Sequence, residues 1–164
     1  MPLKTMLANT AMTSPHESHP DLSPKEAIEL LQIHSFTYHD VHDPRMENGF
    51  LGSLRPYQGT LNHDAFLELM ACIKTLGPNL SRGESVDRQI ISNLWGICQL
   101  ARAWAIYPEG MLRSNKLIND ADVKTMDDWL DCISYAVMIF LETSDVTEAL
   151  APYNQYVEDH GKNT

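Results

Sequence analysis

The sequence predicts an all-α protein, an irregular, mostly antiparallel bundle of four main helices with one or two short helices. Three observations carry that prediction. Apolar residues recur at helical spacing in four separate stretches, capping signals stand at the head of several of them, and residues 86–107 are apolar around most of a helix circumference. With 164 residues, 43% of them hydrophobic, the chain is long enough to bury one core without disulfide or metal staples.

Residues 1–22 carry Pro2, Pro15 and Pro20 among Ser, Thr and His with no periodicity, and they read as a flexible N-terminal tail. A single domain is expected over 23–151. It opens at Ser23, a capping serine followed by Pro24 at the first helical position and Glu26 at the capping-box position. That first helix runs to about His34, with Ile28, Leu30 and Leu31 turned inward.

From 36 to 60 the helical period vanishes among turn formers: Asp43-Pro44, Asn48-Gly49, Gly52, Pro56 and Gly59. Phe50, Leu51 and Leu54 could form a short extended piece there. A connection of this length inside a small domain is expected to be functional or disordered, and its aromatic and arginine content favours function.

The second helix starts with Asn62 as cap, with Leu61 and Phe66 spaced as a hydrophobic staple. Phe66, Leu69, Met70, Ile73 and Leu76 form its buried stripe, and Gly77-Pro78 ends it. The third helix, 86–107, is read as the buried centre of the domain, entered through Ser81 or Ser85 and stopped by Pro108. Its uncharged stripe of Ser85, Gln89, Ser92, Gly96 and Gln99 suggests close packing, with another backbone approaching Gly96.

The fourth helix repeats the device of the second, with Asn119 as cap and Ile118 stapled to Val123. Met126, Trp129, Leu130, Ile133, Val137, Phe140 and Leu141 form its inner arc, and it ends near Glu142. A short helix over 146–150 stops before Pro152, leaving 152–164 as a C-terminal tail. Trp95-x-x-Cys98 and Trp129-x-x-Cys132 place a large and a small residue on one helix face, which reads as core packing rather than as a repeat.

Charge narrows the function classes. The net charge is -10, of which residues 116–164 hold -7. No clustered Lys/Arg face is available for nucleic acid, and the acidic end is either a solvated surface or a lure for a basic partner. Three cysteines, an odd number on three helical segments, suggest reduced thiols in a cytoplasmic protein. The longest apolar run, near ISYAVMIFL, is too short to cross a bilayer.

Imidazole and carboxylate side chains are grouped at His34, His39, Asp40, His42 and Asp43, then at His63 and Asp64. Such groups ligate divalent metals, and His39, His42, His63 and Asp64 are the candidate ligands. His-Asp dipeptides on a helical body resemble those of the metal-dependent phosphohydrolases called HD proteins, where the pair sits inside a helix facing a cavity. The resemblance would imply a divalent metal and a hydrolytic activity. Here two of the pairs fall in the turn-rich segment and the third in the first turn of the second helix, where Asp64 also suits the helix dipole. Cys72, Cys98 and Cys132 stand in apolar contexts that raise a thiol's pKa, so no nucleophile is expected among them.

Two polar residues interrupt the apolar third helix. Arg102 is expected to lock that helix to the fourth through Asp127 or Asp131, the alternative being a clamp for a substrate carboxylate or phosphate, and Asn93 must find partners if buried. Arginines and aromatics converge in sequence terms on the loop and on the exit of the third helix: Arg45, Phe50, Arg55, Tyr57, Trp104, Tyr107 and Arg113. Residues of these types anchor interfaces, and the equal alternative is that Phe50, Leu54 and Tyr57 plug the end of the bundle and cover its core.

The reading that follows is a non-catalytic cytosolic interaction module, an acidic inhibitor, immunity-type or adaptor protein, that meets another protein through 44–60 and the helix-three exit. Self-association remains open. The alternative is a small metal-dependent hydrolase built on the His/Asp cluster.

Overall fold

A computed structural model describes residues 21–161, so the expectation for 1–22 lies almost wholly outside the described residues. The fold is all-α, with no strand among the described residues and one isolated bridge between Leu54 and Tyr57. Helix α1 spans Pro24–His34, α2 Arg45–Asn48 and α3 His63–Leu76. A 3-10 turn, Gly77–Asn79, follows α3. Helix α4 spans Arg88–Ala101 and runs on as a π-turn over Arg102–Ile106; then come α5 (Met111–Ser114), α6 (Asp120–Glu142), α7 (Val146–Ala149) and α8 (Ala151–Gly161). None of these helices is long and apolar enough to cross a membrane.

The capping signals act as the sequence implies. Ser23 and Glu26 form a reciprocal capping box, at 3.3 Å and 2.9 Å, which supplies acceptors for backbone donors that the first turn leaves open. Asn62 accepts from the Ala65 N–H at 3.1 Å, and Asn119 from the Asp122 N–H at 2.8 Å. The stripe Phe66, Leu69, Met70, Ile73 and Leu76 is buried. Gly77 follows for a steric reason: a Cβ there would stand 2.2 Å from the Phe140 ring of α6.

The core is centred on α3 and α6, not on α4. Phe66 and Trp129 stack with centroids 4.6 Å apart and planes 3° from parallel, and Phe50 approaches Trp129 at 6.2 Å. Such pairs add about 0.5–1.5 kcal/mol beyond their burial. Residues 46–54 therefore form a plug. Met46, Phe50, Leu51 and Leu54 are all buried, and the extended piece expected at 50–54 is a run of turns.

His34, fully buried at the end of α1, pins that plug. Its Nδ1 accepts the Phe50 N–H at 3.0 Å, and its carbonyl accepts the Leu51 N–H at 3.1 Å. Nδ1 as acceptor puts the neutral ring's proton on Nε2, which sits 3.1 Å from Glu68 Oε1 without hydrogen-bond alignment.

Two expectations about the ends of elements are corrected. Residues 152–164 are helical as far as Gly161, because Pro152 stands in the first turn of α8, where a proline's missing N–H costs no intrahelical bond. Tyr153 and Tyr156 fasten α8 by packing edge-on against Phe66 at 5.8 Å and 5.5 Å, and Tyr156 Oη accepts from Trp129 Nε1–H at 2.7 Å. At its other end, α4 begins at Arg88 with Asp87 as cap, accepting from Gln89 N–H at 2.8 Å, so Ser81, Ser85 and Val86 precede the helix.

The largest correction concerns α4 itself. Asn93, Leu94, Ile97 and Ala101 are buried, but Trp95 is 68% exposed and a Cβ on Gly96 would meet nothing within 4 Å. The helix is covered on one side only. Ile28, expected inside α1, is likewise exposed, and so is Leu141 near the end of α6.

Candidate functional site

The residues singled out from the sequence divide into three groups. Arg45 belongs to a surface knot near α1. Its guanidinium pairs with Asp43 at 2.7 Å and Glu29 at 2.9 Å and lies 5.3 Å from the Tyr38 ring centroid. The arginine beside Asp43 holds that carboxyl below its usual range, mainly through the side-chain hydrogen bonds. Phe50 is 2% exposed and belongs to the core, not to any contact surface.

The second group does meet at the exit of α4. Arg55 stacks over the Trp104 ring with Cζ 5.8 Å from its centroid, and Tyr57 Oη–H donates to Asp122 Oδ2 at 2.6 Å. Burial, with the Asp122 carboxylate next, pushes the Tyr57 phenol up. Arg113 Nη1–H donates to the Ile106 carbonyl at 3.1 Å and lies 3.8 Å from Asp120. These contacts clamp the plug and the π-turn to the head of α6, which leaves Tyr107, 42% exposed, as the outward aromatic of this group.

The third group is the helix lock. Arg102 Nη2 is 3.6 Å from Asp131 Oδ1 as anticipated, although Asp131 is exposed and the pair is loose. Asn93 works separately: its Oδ1 accepts from Thr37 Oγ1–H at 3.1 Å and from Gln89 Nε2–H at 2.9 Å, tying α4 to the chain after α1.

The metal candidates do not converge. His39 and His42 are exposed, and His63 sits at the aromatic edge 5.8 Å from Trp129 and 6.2 Å from Tyr156. Burial lowers the His63 pKa, the neighbouring Asp64 charge opposing it. Among the described residues no group of three or more His, Cys, Asp or Glu could hold a metal ion. Burial pushes the Cys72 thiol up to about 12 and that of Cys132 up to about 11, and raises that of Cys98.

The surface that sequence reasoning missed is the seam between α4 and α6. Cys98 Sγ is 3.7 Å from Ser134 Oγ and Arg102 reaches Asp131, so stepping back along α4 means stepping forward along α6 and the helices run antiparallel. On α4 the row through these residues is Ile91, Trp95, Cys98, Arg102; on α6 it is Asp131, Ser134, Met138, Leu141. One turn beyond the Cys98–Ser134 contact stand Trp95 on the α4 row and Met138 on the α6 row, followed by Ile91 and Leu141. Trp95 is 68%, Met138 50% and Leu141 43% exposed, so the seam is open at this end.

On the other flank of the same α6 row lies an open groove of about 600 Å³ between α6 and α8. Tyr135, Met138, Pro152 and Tyr156 give it an apolar floor, and Asp128, Asp131 and Asp159 stand among its walls. Met138, in the α6 row that meets α4 at Ser134 and Asp131, also lines the groove. No protein-family model, no curated protein and no solved structure matches this chain.

Proposed function

We propose that the chain is a non-catalytic protein-interaction module, of the inhibitor, immunity-type or adaptor kind, whose contact face is the open α4–α6 seam. The observation that supports this reading is Trp95, standing 68% exposed on α4, with Met138 and Leu141 exposed on α6. A tryptophan held out from a rigid helix is the residue type most often found at the energetic centre of an interface. Covering an exposed apolar side chain of this size contributes roughly 1.5–3 kcal/mol.

Within 44–60, Arg55 and Tyr57 are engaged by Trp104 and Asp122 and Phe50 is buried, which favours the α4–α6 seam over that segment as the contact face. Unpaired Cys72, Cys98 and Cys132 fit a reducing, cytosolic setting.

A photoreactive phenylalanine analogue at position 95, with position 25 on the exposed face of α1 as control, tests the reading in living cells. The expected result is a discrete adduct with a second protein from position 95 and none from position 25. Adducts from both positions alike, or from neither, would overturn it.

A further inference from the structure

Among the described residues, His34 is the side chain that is fully buried and still holds a polar atom, Nε2, without a hydrogen-bond partner. Native interiors leave few such atoms, and each has a physical reason.

The surroundings of the ring limit the protonation states it can hold. From the plug, the Phe50 N–H donates to Nδ1 at 3.0 Å, and from α3 Glu68 Oε1 stands 3.1 Å from Nε2. Glu68 lines a cleft of about 300 Å³ that Arg45 of α2 also lines, and the Arg45 guanidinium is engaged by Asp43 and Glu29. Cys72, one turn further along α3, is a buried thiol that burial and then the Glu68 charge keep protonated. The carboxylate of Glu68 is therefore the charge set directly against the ring, and its side chain is 37% exposed, which gives a proton a route from solvent.

A neutral imidazole suits this arrangement, with one acceptor for the plug and one donor toward α3. With a second proton both ring nitrogens are donors, whichever way the ring is turned, and the Phe50 N–H loses its acceptor. The plug has little room to adjust by degrees. A Cβ at Gly49 would stand 2.9 Å from the Ile33 carbonyl oxygen and 3.3 Å from His34 Cα, so the backbone lies directly against the end of α1. Packing this close switches between discrete arrangements rather than deforming smoothly.

We propose that His34 is a proton-operated pin: neutral, it holds residues 46–54 in the core through the Phe50 N–H, and on taking a second proton it exchanges that bond for Glu68 and releases the plug. The pinned form has no place for a proton at Nδ1 and the released form has one, so acid populates the released form. For a released ring with the ordinary histidine value of about 6.5, lowering the pH from 7.5 to 5.5 raises the released population about tenfold, and the Glu68 carboxylate adds to this. Phe50 lies 6.2 Å from Trp129, whose indole donates to Tyr156 of α8, so release loosens the aromatic centre from the plug side. The pin acts on the core and stands whether or not the Trp95 face binds a partner.

Amide hydrogen exchange of the full chain, read as protection factors so that the intrinsic pH dependence of exchange is removed, tests the pin. Between pH 7.5 and 5.5 the protection of Phe50 and Leu51 should fall about tenfold or more, while that of Ile133 and Ala136 in α6 should change by less than about twofold. His34→Asn supplies an oxygen that accepts from the Phe50 N–H and takes no proton, and its Phe50 protection should stay flat across the window. Glu68→Gln, at a partly exposed position, keeps the proposal testable should His34→Asn fail to fold, and its fall at Phe50 should be smaller than that of the native chain. Phe50 protection that does not fall, a fall shared equally by Ile133 and Ala136, an equal fall in His34→Asn, or an undiminished one in Glu68→Gln would overturn the proposal.

Discussion

Trp129 and Trp95 each precede a cysteine by three residues on a helix, yet one is 2% exposed and the other 68%. The difference lies in what faces them. Trp129 is met by Phe66 stacked from α3, Phe50 from the plug, and Tyr156 of α8, which accepts its indole N–H. Trp95 stands in the row of α4 that meets α6 at Cys98 and Arg102, one turn beyond the Cys98–Ser134 contact, and is left exposed. The same local motif thus serves as keystone on one side of the molecule and as a free surface on the other.

The largest effect expected from breaking the closed side is with Trp129→Ala, which removes both the stacked ring and the donor to Tyr156. Denaturant unfolding should show a loss of about 3–5 kcal/mol, and α8 should lose amide protection before the rest. Phe50→Ala should cost a similar or slightly smaller amount, about 3 kcal/mol. That result would confirm by measurement that 44–60 is structural, whereas a loss below 1 kcal/mol, within the range of surface changes, would return the segment to the surface.

Arg55→Ala with Tyr57→Phe comes next, at about 2 kcal/mol together, from one cation–π contact and one hydrogen bond to a carboxylate. A pH-dependent effect belongs to Cys72. Burial raises its thiol from 9.0 to about 12 in the folded state, so the folded protein holds more protons than the unfolded chain between those values. Its contribution is complete below pH 9 and is lost as pH rises toward 12. Unfolding curves taken across that window should fall less steeply for Cys72→Ala than for the native chain. The smallest effect is at the open side: Trp95→Ser should change stability by no more than about 0.5 kcal/mol.

Much of the fold was legible because its signals are local. Ser23 with Glu26, Asn62 and Asn119 announce α1, α3 and α6, and the stripe from Phe66 to Leu76 places the inner face of α3 without any tertiary knowledge. The errors arose where distant contacts decide. Pro152 looks like a stop, yet it opens α8, and only the distant Phe66 and Trp129 explain why Tyr153 and Tyr156 keep that helix in place. Phe50 in a turn-rich segment resembles an exposed anchor, and the buried His34, sixteen residues earlier, is what draws it inward.

The candidate face was half visible. The Ile91, Trp95, Cys98, Arg102 row and the Arg102–Asp131 pair were readable, and they fix the register of the seam. Apolar spacing alone predicts α4 sheathed throughout, because it does not say how far along its length a helix is covered. One signal could have corrected this: Trp95 lies on the border of the uncharged polar stripe, with Ser92 three residues before it and Gln99 four after. Both of those residues are exposed.

The contrast between the two tryptophans is open to direct measurement by fluorine NMR of protein carrying 5-fluorotryptophan, each resonance assigned by replacing one Trp with Phe. On changing H2O for D2O, the Trp95 resonance should move by the full solvent isotope shift of free fluorotryptophan, and that of Trp129 should not move. A Trp95 resonance as insensitive to solvent as that of Trp129 would mean that α4 is covered along both flanks, and the proposed contact face would not exist.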